Sequence, residues 1–512
     1  MRTLAVLGLL LFVGATAPYE QSAWTTPQSA IDEVVFGQLW RLKITPANPC
    51  SDAVFLRRVH LDVIGMLPTA EEATQFLSDK RPDKRRLLVD ALLERDEFAD
   101  YQAMRWCDVL RVKSEFPINL WPNAVQAYHR WIRTSIRENK PYDVFARELL
   151  TASGSNFRVP PVNFYRAVQS KQPEAIAQAV ALTFMGTRAE KWPAEKLDGM
   201  SQFFNQIGYK STAEWKEEIV FHDFAKAATR PSDFATATFP EGTTIQLPPG
   251  RDPRQVFAEW LISPKNQQFN RCIVNRIWCW LLGRGIVHEP DDFRSDNPPV
   301  NAALLASLER ELIASKYDLK RIYRVILNSR TYQLSSIPQT ESPAAGAHFA
   351  HHPLRPLGAE VLIDAINQVT GTDEKYTSAI PEPYTVMPDG QRAIDLPDGS
   401  ITSSFLELFG RPARDSGLES ERSPKPTPDQ RLHLLNSTHI QRKVEQSPKL
   451  RALSRGKARV VDLYLTILSR PPTDEEVKVW REYAASKASI ERDAWTDLTW
   501  ALLNSPEFLY RH

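Results

Sequence analysis

The sequence lacks most of the signatures that announce a chemistry. It has no Cys-x-x-Cys-His segment, which excludes covalent haem attachment through that motif. His-Glu-x-x-His, Gly-x-Ser-x-Gly, the phosphate-binding glycine loop and the dinucleotide glycine pattern are also absent. These absences remove those signatures and leave other catalysis open. Cysteine is scarce: Cys50, Cys107, Cys272 and Cys279 are the only four in 512 residues. Cys272 and Cys279 fall in one helical stretch, 269–282, where seven residues separate their Cα atoms by about 10 Å. That is beyond the roughly 7 Å reach of a disulfide, so these two are not expected to pair. Other bridges, or four buried thiols, stay open. An excess of charge is missing too. Lys plus Arg is 63 and Asp plus Glu is 62, a formal net charge of +1. This balance gives no electrostatic footprint for nucleic acid and none for a polybasic membrane surface. Past the N-terminus no apolar run approaches the roughly 20 residues of a bilayer span, so no transmembrane segment is expected in a mature chain.

What is present is a globular composition, 42% apolar and 24% charged. The length predicts two or three domains. The N-terminus joins Arg2 to an apolar run over 4–13 and the small residues Gly14-Ala15-Thr16-Ala17. Residues 1–17 therefore read as a secretory signal, with a cut after Ala15 as an alternative because of Pro18. An exported protein, periplasmic or extracellular, is expected.

Helical periodicity dominates the rest. Thr69 and Glu72 form one capping-box pattern, and Thr473 and Glu476 form a second. An amphipathic stretch precedes each box (55–64 and 461–468), and a shared ending follows. That ending reads Leu92-Leu93-Glu94-Arg95-Asp96-Glu97-Phe98 in the first unit and Leu502-Leu503-Asn504-Ser505-Pro506-Glu507-Phe508 in the last. A third copy of it is Ile326-Leu327-Asn328-Ser329-Arg330-Thr331-Tyr332. The copies are not in tandem, which argues against a solenoid. Strand signals are few. Segments 384–387 and 392–396 flank Pro388-Asp389-Gly390 and predict a small hairpin. The predicted class is mainly α and multi-helical: two helical domains, 24–229 and 254–512, a linker over 230–253, and the small inserted β-hairpin.

Two loops concentrate polar residues. The first, 283–299, follows a Trp-rich helix bearing Asn275 and Arg276, and holds Arg284, Asp291, Asp292, Arg294, Asp296 and Asn297. Its carboxylates are candidates for calcium ligation or an acid/base pair. The simpler reading is a capping loop in which Arg276, Arg284 and Arg294 neutralise the acids. The second, 409–423, holds Arg411, Arg414, Glu419, Glu421 and Arg422 and is a candidate anion site through bidentate guanidinium contacts. Internal ion pairing is again the simpler reading. His433, His439, His351 and His352 have no ligand-like spacing.

Residues 57–69 (Arg-Arg-Val-His-Leu-Asp-Val-Ile-Gly-Met-Leu-Pro-Thr) and Asn139-Lys140-Pro141-Tyr142-Asp143 resemble the family called domain of unknown function 1549. Val274-Asn275-Arg276-Ile277-Trp278, Asp291-Asp292-Phe293-Arg294, Leu408-Phe409-Gly410-Arg411-Pro412 and Leu434-Leu435-Asn436-Ser437 resemble its usual companion, domain of unknown function 1553. The resemblance implies an exported, planctomycete-type protein of a kind often fused to cytochrome-c-like modules. Relatives carry a Cys-x-x-Cys-His segment soon after Phe-Leu-Gly. Here Phe184-Met185-Gly186-Thr187-Arg188 passes straight to Ala189-Glu190-Lys191. Relatives also carry Cys-Glu-Cys-Glu-Arg, where this chain has Leu418-Glu419-Ser420-Glu421-Arg422. The expectation is a member without cofactor or metal site, acting as a binding or scaffold protein for a protein or polymer partner outside the cytoplasm. The alternative is a hydrolase of extracellular polymer that uses the carboxylates of 291–296.

Overall fold

The computed structural model describes residues 26–228, 236–423, 425–455, 460–486 and 491–512. The secretory segment read over 1–17 lies outside them. The chain is mainly α: 54% is helical, in 24 helices among the described residues, and strands form only small pairs or a triplet.

The local signals act as the sequence dictates. Ser51 caps the helix Asp52–Val63, and Thr69 and Glu72 close a reciprocal capping box on Ala70–Ser78. The same box recurs far along the chain, where Glu476 N donates to Thr473 Oγ1 at 3.2 Å and Thr473 N donates to Glu476 Oε2 at 2.7 Å. Just before the boxes, Gly65 and Ser469 occupy equivalent positions with φ of 65° and 61°. In the first unit Arg95 bridges Glu72 (2.8 Å) and Glu97 (2.9 Å). In the last, Arg470 bridges Glu476 (2.8 Å) and Glu507 (2.6 Å), so the same carboxylates are clamped by an arginine from a different place. The aromatics of the three endings, Phe98, Tyr332 and Phe508, are all buried. Ser329 and Ser505 accept from the backbone N–H of Tyr332 and Phe508, both at 3.2 Å.

The first and last units pack on each other. Buried Arg57 donates to Ile467 O (2.8 Å) and Phe508 O (2.9 Å). The larger core gathers buried residues from Ile31 to Ala350, with Leu465 from the last unit. The smaller one joins Leu61, Leu67, Tyr101 and Met104 to residues between Leu357 and Phe508. Arg355–Pro356 pairs antiparallel with Tyr510–Arg511, which places Arg355 opposite Arg511.

The predicted hairpin is not at 384–396. The turn at Gly390 is present (φ 71°), but its flanks form no strands, and Ala393–Asp395 is a short 3-10 helix. Local chemistry explains the difference. Ala393 N and Ile394 N donate to the Asp364 carboxylate at 2.8 and 3.0 Å, and the Arg392 side chain turns to Asp100, so no ladder partner is left. Small β pairs lie elsewhere: Ile207–Ser211 with Glu218–His222, and Thr236–Thr238 with Thr244–Gln246. The second falls in the stretch read as a linker, beside Phe239, which stacks on Phe203 at 4.8 Å and Trp260 at 4.9 Å. All four cysteines are free and buried, and Cys272 and Cys279 share the helix Gln267–Leu282.

Candidate functional site

The two polar loops do meet. Helix Gln267–Leu282 presents Asn275 and Arg276 to the chain that follows it. Asn275 accepts from Val287 N (2.9 Å) and donates to Val287 O (3.0 Å), which pins the turn after the helix. Gly285 in that turn has no room for a side chain, since a Cβ would sit 2.1 Å from Val287 O. Arg276 donates to Thr183 O (2.8 Å) and to Asp291 Oδ1 (2.9 Å). The other Asp291 oxygen accepts from Glu419 N at 2.6 Å, and this contact joins the first loop to the second.

Most of the remaining candidates neutralise one another. Arg294 pairs with Asp292 (2.9 Å) and exposed Asp296 (3.3 Å), and Asn297 donates to Asp292 O (2.9 Å). Arg284 is half-buried with its Nε lacking a hydrogen-bond partner among the described residues. Glu421 accepts from Asp415 N (2.9 Å) and Ser416 Oγ (3.3 Å). Arg411, Arg414 and Arg422 surround two carboxylates from distant helices. Arg422 reaches Glu360 (2.6 Å) and Asp108 (2.7 Å), Arg414 reaches Asp108 (2.9 Å), and Arg411 lies 3.6 Å from Glu360. Burial alone would raise Glu360, but the charges of Arg422 and Arg411 and the Arg422 hydrogen bond bring it down to about 2.

Beside this clamp opens a cleft of about 970 Å³. Of the residues singled out from the sequence, Glu419 and Arg422 line it. Glu289 of the first polar loop, Lys425 and Arg431 line it too, and three further arginines come from places the sequence did not mark. Helix Asp96–Val109 contributes Tyr101 and Arg105 on one face, and the ladder Arg355–Pro356/Tyr510–Arg511 contributes two arginines. Tyr101 Oη accepts from Arg105 (2.7 Å) and from Arg511 (2.9 Å). Arg355 and Arg511 share one buried carboxylate, Asp62, at 3.3 and 2.7 Å. Arg355 also donates to Leu281 O (2.7 Å), against a helix C-terminus that ends at Gly283. Gly283 has φ 71°, and a Cβ there would lie 2.2 Å from Arg355 Cδ.

The electrostatics of this corner are cationic. Burial raises the Tyr101 phenol, yet the fields of Arg105 and Arg511 outweigh it and leave the group below its ordinary value. Glu419 is shifted upward by burial and by Asp291, against Arg105, the Trp280 hydrogen bond and Arg422. The Nε atoms of Arg105, Arg355 and Arg511 are buried without a hydrogen-bond partner among the described residues. Buried His352, whose ring nitrogens are also unpartnered among the described residues, is kept neutral by burial and by Arg58, Arg355 and Arg511.

Both stretches where the resembled relatives carry cysteines abut segment 290–293. A Cβ on Gly186 would meet Phe293 and Pro290 O, Thr187 Oγ1 donates to Phe293 O at 3.3 Å, and Glu419 is held by Asp291. Among the described residues no three His, Cys, Asp or Glu side chains gather as a metal ion requires. No helix described is long and apolar enough to cross a membrane.

Comparison with known families divides the chain in two. Residues 30–205 match PSCyt2, a protein of unknown function (DUF1549), and residues 253–484 match PSD1, a protein of unknown function (DUF1553). No curated protein and no solved structure matches the chain.

Proposed function

Starting from its membership of the paired families DUF1549 and DUF1553, we propose that this chain is an exported binding protein whose cleft, built from both family regions, takes an anionic ligand. The carrying observation is the set of Arg105, Arg355 and Arg511 lining one cavity, of which Arg355 and Arg511 share the carboxylate of Asp62. Such a corner offers charge-assisted hydrogen bonds to a carboxylate, sulfate or phosphate. Export is supported by the charged, apolar and small-residue sequence of 1–17.

Hydrolysis by the carboxylates of 291–296 has less support. Both Asp291 oxygens are taken by Arg276 and Glu419 N, and Asp292 and Asp296 pair with Arg294 away from the cleft. The test is calorimetric titration of the full chain with a panel of anions: phosphate, sulfate, trigalacturonate and alkyl carboxylates. At least one is expected to bind at one site per chain, and Arg105→Met is expected to weaken it by about tenfold or more, the worth of one charge-assisted bond. If no anion binds, or if Arg105→Met changes nothing, the reading fails.

A further inference from the structure

We propose that the anion held in this cleft is amphiphilic: a long alkyl chain ending in a carboxylate or a similar acidic head. The inference rests on the anion-binding reading and narrows it. The guanidiniums occupy one corner. Arg355 and Arg511 face each other across the two-strand ladder, and Arg511 and Arg105 share the Tyr101 hydroxyl. The rest of the lining is predominantly apolar, with Leu357, Leu362, Leu434, Leu435 and Leu509 set among charged Glu289, Lys425 and Arg431. Leu435 is 43% exposed, an open leucine at the edge of a cavity.

The neutral polar lining includes His288, Ser420 and Ser423, and its two amides are already used. Gln430 donates to Leu408 O (3.0 Å) and accepts from Thr427 N (3.1 Å), and Asn504 donates to Trp500 O (2.9 Å). A saccharide would set many of its hydroxyls against the apolar part of these walls, at a cost for each group left unpaired. An alkyl chain loses nothing there and gains by leaving water. A small inorganic anion would fill the corner and leave most of the 970 Å³ to water.

The test is calorimetric titration of the full chain with acetate, octanoate, decanoate and dodecanoate below their micelle concentrations, with dodecanol, phosphate, sulfate and trigalacturonate as controls. Affinity should rise by roughly fourfold per added methylene, the worth of burying one CH₂. Dodecanol should bind at least about tenfold more weakly than dodecanoate for want of a charged head. Arg105→Met should weaken dodecanoate, and Leu434→Asn should flatten the chain-length series. The wild-type series needs no variant, so a folding defect cannot obscure the answer. If trigalacturonate or sulfate binds through Arg105 while affinity is independent of alkyl length, the anion cleft stands and the amphiphile is overturned. If no member of the panel binds, both readings fall together.

Discussion

His129 offers a direct test of how burial sets the pH response. It lies on the helix Pro122–Arg137, is 8% exposed, and its Nε2 has no hydrogen-bond partner among the described residues. Burial is the main force against protonation, and the charges of Arg414, Arg133 and Arg130 add to it, lowering the imidazole to about 3. In the unfolded chain the value is about 6.5. The folded value is the lower one, so the contribution to stability is complete above about pH 6.5 and is lost as pH falls toward 3. Between pH 7 and pH 5 the unfolded state gains about 0.7 proton at this position and the native state almost none. The linkage integral over that interval is about 2 kcal/mol, a sizeable part of a stability of about 5–15 kcal/mol. Urea denaturation of the wild type and of His129→Gln at pH 7, 6 and 5 isolates the effect. Other titrating groups, including His60 lowered to about 4 and Asp364 raised to about 7 with the opposite sign, are common to both proteins and drop out of the difference. The wild type should lose about 2 kcal/mol more than the variant over this range. Parallel pH profiles would refute the reasoning.

The arginine clamp should be costly to break. Arg422→Met leaves Glu360 and Asp108 under-neutralised and should destabilise the fold by about 3–5 kcal/mol in thermal or chemical denaturation, whereas Arg294→Ala at the surface should stay within about 0.5 kcal/mol. Gly283→Ala forces a strained φ and displaces Arg355, so it should weaken anion binding in the same calorimetric assay. Burial pushes Cys107 up to about 12 and Cys272 to about 11, so both should resist a thiol-reactive disulfide reagent in the native protein and react once urea exposes them. Ser505→Ala removes the hydroxyl that accepts from Phe508 N and should cost about 1 kcal/mol in melting experiments.

Legibility in the sequence followed distance along the chain. The capping boxes and the repeated endings are relations over three to ten residues, and they stand where the sequence put them. The hairpin at 384–396 was misread because its backbone donors are claimed by Asp364, 29 and 30 positions away. The polar loops were visible as loops, and their meeting through Asp291 and Glu419 could not be read from either one alone. The cationic corner was invisible. Its arginines stand at 105, 355 and 511, and Asp62 meets Arg511 across 449 positions. No local pattern distinguishes such residues from ordinary surface charge.

If the proposed anion binds, the ladder that joins Arg355–Pro356 to Tyr510–Arg511 would tie its capture to the pairing of these two distant segments. A nascent chain that has reached residue 500 has most of its core but lacks one wall of the cleft and the second partner of Asp62. A ligand bound there would stabilise the closure of residues 510–511 on 355–356 by mass action. A protease that clipped residues 505–512 would release the ligand and untie the two terminal units in one cut.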